Sequence, residues 1–599
     1  MTSEAAFISR ISAPLAAWLV VLVFPFLYFF SELHATFLLE IGAGAGAAWL
    51  GTQVLRRQLS LSIQARAAIF LILSWLFLAA RSLWVSVDPT VSWPVFIKAA
   101  ALGLASLVIS ALIASTGNYA AFYRAAAWTG IIHGIIAIHE YIEAPAIPLT
   151  WLDPASSSLF RTRCAGIFTD PNIFAAFIAA LFILSLGLLL SAGSRSERVL
   201  ASTALLAEGL AVLTTLSRGG WIGLTAGLFT AAALVIRHRA KLNPGFWRPL
   251  LLVGLILTAV FFIGPFKMRF ASIGNPHDMT FAQRTLINKG VFAALKRFPI
   301  AGHGLHSFNQ VYPRYRIVGG DYPMNAHNEF IHSMIETGFL SAAILALTTL
   351  FLLKTAWLCQ TGHIHQPLFT AVFVSLLIQN LSGFSSRILP TSLLISVAVA
   401  GMLARHFRPE KRSSSKTLAL TIGSILLLLA GMMLVSAPIS MWQQTTISEA
   451  DRLLRSGNLT AATDLLEKFV RENPRNANAY SMLANAKLAG NQPKATFENL
   501  TKAAELNPNE ALFFINLARL SRKRNPAEAE IFYQQALQLD PASEQFRLEF
   551  ALFLKAAGRS SEALGQVLVG LSYSPGFHDV YQGFRELEKI KAELTSPEP

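Results

Sequence analysis

AHNEFIHSMIETGFLSAAILALTTLFLLKTAW, residues 326–357, decides how this chain is built. Its first part sets His327 and Asn328 at the start of a helical pattern, with Phe330, Ile331, Met334 and Ile335 forming an apolar stripe at helical spacing. Glu336 and Gly338 close that helix, and at Phe339 an apolar run begins that is long enough to cross a bilayer. A titratable imidazole thus stands at the end of a polar segment, close to where the chain re-enters a membrane. Imidazole is well suited to moving a proton near neutral pH. A histidine in this position can equally cap or fill space at the helix start.

The membrane reading extends through the first 437 residues. The 599-residue chain is 53% hydrophobic and 14% charged, against about 25% charged residues in soluble domains. Apolar runs predict about thirteen spans, near 13–31, 34–51, 66–86, 94–115, 119–139, 172–192, 198–216, 219–236, 249–265, 338–357, 367–385, 388–404 and 417–437. Four short loops are basic: Arg56, Arg57 and Arg66; Arg195 and Arg198; Arg237, Arg239, Lys241 and Arg248; and Arg405, Arg408, Lys411, Arg412 and Lys416. Thirteen spans put all four on one side with the N-terminus, and the excess of Lys and Arg makes that side the cytoplasm. The first apolar run is long enough to span and carries no evident signal-peptide cleavage site. The net charge of +15 fits loops facing anionic lipid rather than nucleic acid. Cys164 and Cys359 fall on opposite sides and form no disulfide framework.

The outer side then receives the loop from Ile142 to Pro171, the turn LSRGG with Arg218, and a large segment from Gly264 to Glu336. That segment holds Lys267, Arg269, Arg284, Lys289, Lys296, Arg297, Arg314 and Arg316 against Asp278, Asp321, Glu329 and Glu336. Solvation explains many such side chains singly; an anionic ligand would explain the excess. Phe281 to Phe298 reads as an amphipathic helix able to lie on the membrane surface. Arg218 ends a span, where arginines often snorkel, and its two following glycines permit close approach. Arg163 precedes TDPN, in which Asp170 or Asn172 caps the next helix and Pro171 occupies its first turn. Planar guanidinium forks suit the oxygens of a diphosphate.

After Ser440 the chain turns polar, helical and repetitive. Pro474, Pro508, Pro541 and Pro575 recur about every 34 residues, the tetratricopeptide period. Four units are expected near 443–474, 475–508, 509–541 and 542–575, with a capping helix to about 593. The fold is therefore all-α: a polytopic membrane domain over 1–437, with its large outer loop at 264–337, followed by an α-solenoid over 438–599. An odd number of spans puts the repeats outside the cytoplasm, where a protein partner would occupy their concave face.

No glycine-rich phosphate loop, Cys/His zinc spacing or nucleophile elbow is present, and Glu140, Glu143, Asp153, Asp170 and Asp321 are scattered rather than clustered. No cofactor or metal is expected. HNEFIHSMIETGFLSA, with SRGG upstream and RTLINKGVFAALKRFPIAGHGLHSF between them, resembles the O-antigen ligase family, the Wzy_C-type superfamily; RCAGIFTDPNIFAAF is similar to that family's segment before a central span. The resemblance covers about 163–404. It departs from the family's pattern in the histidines of AGHGLHSF and in the added repeats. It implies a membrane glycosyltransferase of cell-envelope polysaccharide or lipopolysaccharide synthesis in the bacterial cytoplasmic membrane, using a glycan on undecaprenyl diphosphate. It makes His327 the catalytic base, Arg218, Arg284 and Arg163 the diphosphate ligands, and Asn328 and Glu336 supporting residues. Transfer would be metal-independent and inverting. The acceptor is a glycan, a lipid or a protein, so polymerase and protein O-oligosaccharyltransferase readings stay open beside the ligase. Outside that class stand a transporter and a membrane-anchored repeat scaffold.

Overall fold

A computed structural model describes residues 14–144, 162–168, 170–263, 266–271, 279–320, 323, 325–359, 362–408, 415–573 and 582–595. Most of the loop expected from Ile142 to Pro171 lies outside these residues, as do Asp153, Asp278, Asp321, Lys411, Arg412 and Pro575. The described chain is almost wholly helical. A π-helical turn (Trp18–Val23) leads into α1 (Phe24–Phe30), α2 (Glu32–Leu55), α3 (Ile63–Ser82), α4 (Pro89–Thr116) and α5 (Ala120–Glu143). There follow α6 (Pro171–Ser191), α7 (Arg195–Thr214), α8 (Arg218–Arg237) and α9 (Trp247–Ile263). The segment expected on the outer side contributes α10 (Phe266–Ala271), α11 (Met279–Leu295), α12 (Phe308–Val311) and α13 (Glu329–Thr337). The bundle closes with α14 (Phe339–Leu358), α15 (His365–Asn380), α16 (Leu389–Leu403) and α17 (Lys416–Arg455).

Among the described residues, nine helices are long and apolar enough to cross a membrane: α2 to α6, α8, α14, α16 and α17, with α3 and α16 each extended by a short 3-10 turn. The other four expected spans, 13–31, 198–216, 249–265 and 367–385, fall on helical stretches that are shorter or more polar. Arg195, Glu197, Arg198 and Glu208 make α7 the most charged of them. A count of thirteen requires all four to cross. Large apolar side chains on the bundle's exterior, among them Phe70, Phe77, Leu255, Leu350 and Leu428, stay exposed, as lipid-facing positions do.

α6 is the buried centre. Asp170 caps it, accepting from the N–H groups of Asn172 (2.7 Å) and Ile173 (3.1 Å), with Pro171 at the first helical position. Asn172 is not the cap. α8 packs against α15 and α6 through a stripe of glycines, and a Cβ on Gly227 would stand 2.9 Å from the Ala371 carbonyl. Small residues of this kind let membrane helices approach closely.

The basic loops meet at one end of the bundle. Ser60 and Leu61 pair antiparallel with Arg408 and Phe407, joining the first loop to the fourth. The Asn243 N–H donates to the Leu190 carbonyl at 3.2 Å, joining the third to the second, and Arg405 lies within electrostatic reach of His238. The outer segment and α13 occupy the opposite end.

α17 runs unbroken for 40 residues through Pro438, about 60 Å. The boundary expected near 437 therefore falls inside one continuous helix, whose last turns carry Ala450 and Leu454 into the first repeat core beside Leu466 and Phe469. α18 (Leu459–Glu472), α19 (Ala477–Ala489), α20 (Pro493–Leu506), α21 (Ala511–Ser521), α22 (Pro526–Leu539), α23 (Glu544–Ala556), α24 (Ser560–Ser572) and α25 (Gln582–Thr595) complete an α-solenoid. The solenoid docks onto the outer segment: the Arg316 guanidinium donates to the carbonyls of Ala542 (3.4 Å) and Tyr573 (3.3 Å).

Candidate functional site

α13 is short, and its N-terminus is held from two directions. The Asn328 carboxamide oxygen accepts from the N–H groups of Phe330 (3.0 Å) and Ile331 (3.2 Å), while its Nδ2 donates to the Leu381 carbonyl (3.0 Å) beyond α15. His327 immediately precedes this cap in the left-handed region, φ +51°, with its ring edge-to-face on Phe384 at 5.5 Å. A non-glycine residue there is strained, and Asn328 is what holds the segment in place.

The inner face of α13 carries an ion network. His332 Nδ1 accepts from the Ala326 N–H (3.2 Å), which assigns the ring proton to Nε2; that atom donates to Glu336 Oε1 at 2.9 Å. Glu336 Oε2 accepts from Arg387 at 3.1 Å, and the same guanidinium grips Glu329 through two donors at 3.0 and 3.2 Å. Burial alone would raise the Glu336 carboxyl, but Arg387 and His332 more than reverse this and hold it at about 2. Burial would lower Arg387; Glu329 and Glu336 raise it instead.

The glycines of AGHG and ETG explain how the loop closes on this helix. The N–H groups of His303 and Gly304 donate to the Ile335 and Glu336 carbonyls at 2.9 and 2.8 Å, satisfying the last turn of α13. Gly302 and Gly338 face each other across that contact at φ +70° and +86°, and a Cβ on either would collide with the opposite backbone. His306 follows at φ +62°, exposed yet ringed by charge. Desolvation lowers its pKa, and Arg387, His332 and Lys98 add to that against the pull of Glu336.

Arginines gather at the turn between α7 and α8. Arg163 is buried; its Nε donates to the Thr215 carbonyl (3.2 Å) and its second nitrogen to Asn172 Oδ1 (3.4 Å). Asn172 also accepts from Ser217, the cap of α8, at 2.9 Å. Leu216 takes φ +52°, and its carbonyl accepts from Arg269 Nε at 3.3 Å. Arg218 is the first residue of α8. Burial, with Arg269 and Arg218 close by and Asp170 opposing, lowers Arg163 to about 10. Arg163 and Arg218 are thus brought together, with Arg269 as a third member. This turn adjoins the loop after α15: a methyl on Gly219 would lie 3.4 Å from Ser382 Oγ, in the same loop as Leu381 and Phe384, which contact Asn328 and His327.

Arg284 enters on a different element. It lies one turn before Ile287 on α11, whose apolar face is turned into the outer segment's own core with Val291, Ala294, Tyr312 and Ile335. That is the correction to a helix lying on the membrane: its stripe packs against α13, while Phe292 stays exposed. Glu336 stands apart from the arginine turn, inside the network. Sequence reasoning missed Arg269, one basic residue among eight in its segment. It also missed Arg387, although a lone arginine in a short loop opposite the basic ones was a signal.

Below the network opens a cleft of about 620 Å³. Its roof is polar, with Glu329, His332, Glu336, Ser386 and Arg387; its shaft is apolar, with Ile72, Leu102, Leu345, Leu352, Val399 and Leu403. Such a shape suits an amphiphile whose charged or polar head lies at the membrane boundary.

Residues 201–346 match the family model described as O-antigen ligase, Wzy_C. The membrane part therefore carries an O-antigen ligase family domain, which includes Arg218, Arg284, His327 and Glu336 and stops short of Arg387. Over 118 residues the chain is 28% identical to cellulose synthase operon protein C of Pseudomonas fluorescens (strain SBW25), covering 20% of this chain and 9% of that protein. Among solved structures, yeast Tom70 aligns at 14% identity over 71% of this chain and 89% of its own, with a TM-score of 0.29. MamA aligns at 18% identity over 24% of this chain and 91% of its own, with a TM-score of 0.21.

Proposed function

We propose that the protein is a glycosyltransferase that moves a glycan from undecaprenyl diphosphate to an acceptor hydroxyl at the outer face of the cytoplasmic membrane. The observation that carries this reading is that an arginine-lined turn and a strained histidine both pack on the loop after α15, within or beside an O-antigen ligase domain and opposite the basic loops. His327 takes the proton of the acceptor hydroxyl. The freed oxygen attacks the anomeric carbon, and the bond to the diphosphate breaks with its electron pair on the leaving group. A single displacement inverts the anomeric centre. Arg218 and Arg284, with Arg163 behind Arg218, hold the diphosphate and stabilise the charge that grows on it. Asn328 fixes the backbone of His327, and Glu336 ties α13 to Arg387. The apolar shaft suits the prenyl chain.

The test is transfer by the purified full chain in proteoliposomes, from a lipid-linked donor made by the host, with donor binding measured in parallel. His327→Gln should bind donor normally and lose about 10²–10⁴-fold in transfer, the usual contribution of a general base. A well-folded variant within a few-fold of wild type would remove His327 from the mechanism.

A further inference from the structure

A second cleft, of about 410 Å³, lies where the repeats meet the outer segment. One wall is the α3–α4 loop and the stretch Leu305–Pro313; the other is made of the turns that join successive repeats. Leu305, His306 and Asn309 line both this cleft and the larger one beneath the ion network, so a single stretch of backbone separates them. A ligand whose lipid end lies in the apolar shaft can pass its polar end over His306 and Asn309 toward the repeats.

The lining states what kind of polar end it accepts. Asp88, Glu510 and Asp540 supply carboxyl groups, and Asn309, Gln310 and Asn509 supply amides. Among the described residues no lysine or arginine lines the cleft, in a chain whose net charge is +15. Phosphorylated or acidic ligands are therefore disfavoured there. Carboxylates and amides beside small apolar faces such as Val91, Pro313 and Leu512 suit neutral sugars, whose hydroxyls donate and accept and whose ring C–H faces are apolar. Gln310 bridges the two walls, its Nε2 donating to Glu510 Oε2 at 3.4 Å, and its Oε1 is a buried acceptor without a partner among the described residues. Glu510 also caps α21, accepting from the Leu512 N–H at 3.3 Å, and Arg316 clamps the same edge of the solenoid. The walls are thus fixed relative to each other by both domains.

We propose that this cleft is a binding site for an uncharged glycan, on the path between the transfer site and the repeats. It deepens the glycosyltransferase reading and rests on it for the direction of the chain. The glycan is either the one carried by the donor or one borne by the acceptor; both present the same chemistry here.

The experiment places benzoylphenylalanine at position 509 or 309 of the full chain in its host and irradiates intact membranes. A carbohydrate-bearing adduct is expected at both positions and not at position 494, on the outside of the second repeat. In a host unable to make the lipid-linked donor, loss of the adduct assigns the site to the donor glycan, and persistence assigns it to the acceptor. Alongside, Asn509→Trp, which fills the cleft, should cut transfer about tenfold or more, with donor binding weakened if the cleft holds the donor glycan and unchanged if it holds the acceptor's, and Lys494→Trp should alter neither transfer nor binding. Adducts that contain polypeptide and no carbohydrate overturn the proposal, as does wild-type transfer by Asn509→Trp. If a carbohydrate adduct forms but the wild-type protein transfers no glycan, the transferase reading falls and the glycan site stands. Transfer without a carbohydrate adduct gives the converse.

Discussion

Removing Arg387 should unfold the site before it touches the chemistry. Glu336 is 1% exposed and bonded to both Arg387 and His332. Without Arg387 its charge would be buried with the His332 Nε2–H as its remaining side-chain partner among the described residues. The carboxyl is held at about 2 instead of 4.5. At about 1.36 kcal/mol per pH unit, that interval corresponds to about 3 kcal/mol of stabilisation. Breaking a buried pair from one side typically costs about 3–5 kcal/mol, which agrees. Arg387→Ala should therefore lose about 3 kcal/mol in unfolding of the detergent-solubilised protein, followed by denaturant titration. The double variant Arg387→Ala/Glu336→Gln should lose less than the sum of the single variants, because no buried charge is left uncompensated. The pH dependence has a fixed sign. A folded pKa below the unfolded one means that the Glu336 contribution is complete above about pH 4.5 and is lost as pH falls toward about 2. The stability gap between wild type and Glu336→Gln should close across that window. Single-variant losses that simply add, or an Arg387→Ala protein as stable as wild type, would refute the buried-network account.

Arg218→Ala and Arg284→Ala should each cripple transfer at normal protein levels, with lysine restoring part of it because an ammonium lacks the planar fork; full activity of both alanine variants would sink the diphosphate clamp. Gly302→Ala and Gly338→Ala should each destabilise α13 by more than about 1 kcal/mol, through a positive φ and a backbone collision together, as read by hydrogen exchange of the His303 and Gly304 amides. His327→Asn should keep or raise stability, since asparagine tolerates the left-handed conformation, while transfer is lost; a drop in stability would argue for a packing histidine. A phosphatase fused after Pro599 should be active, and activity only of a cytoplasmic reporter would reverse the proposed orientation.

The repeats were legible because they are periodic, and nine of the thirteen expected spans because they are long apolar runs. Apolar runs of bilayer length and a proline spacing of about 34 residues survive any detail of side-chain packing. The cap at Asp170 was legible for the same local reason: acid, then proline, before an apolar run. The site was legible only where its residues sit inside a contiguous motif. His327 and Asn328 lead directly into the one short helix that holds Glu336, so spacing relates them. Arg387 lies 51 residues beyond Glu336, and Arg163 lies 52 before Thr215, so their pairings depend on how helices stack. The amphipathic pattern of α11 shows that one face is buried but does not say against what. Protein, not lipid, covers most of it, because α13 and Tyr312 offer a complementary apolar surface.

The backbone gives an independent view of where this fold stores strain. Seven non-glycine residues among those described have positive φ. Arg57, Ala144 and Arg239 end helices next to loops, and Asn491 is a turn asparagine, a position that tolerates this conformation at little cost. Leu216, His306 and His327 are different in company rather than in angle. Leu216 delivers a carbonyl to Arg269, His306 lies on the wall between two clefts, and His327 precedes the cap of α13. Each left-handed residue of this kind costs about 1–2 kcal/mol, and each is held by contacts from elsewhere in the chain: Arg269 on Leu216, the Gly302–Gly338 closure beside His306, Asn328 and Leu381 beside His327. Strain maintained by surrounding structure at three points around one polar end is what pre-organisation of a site requires.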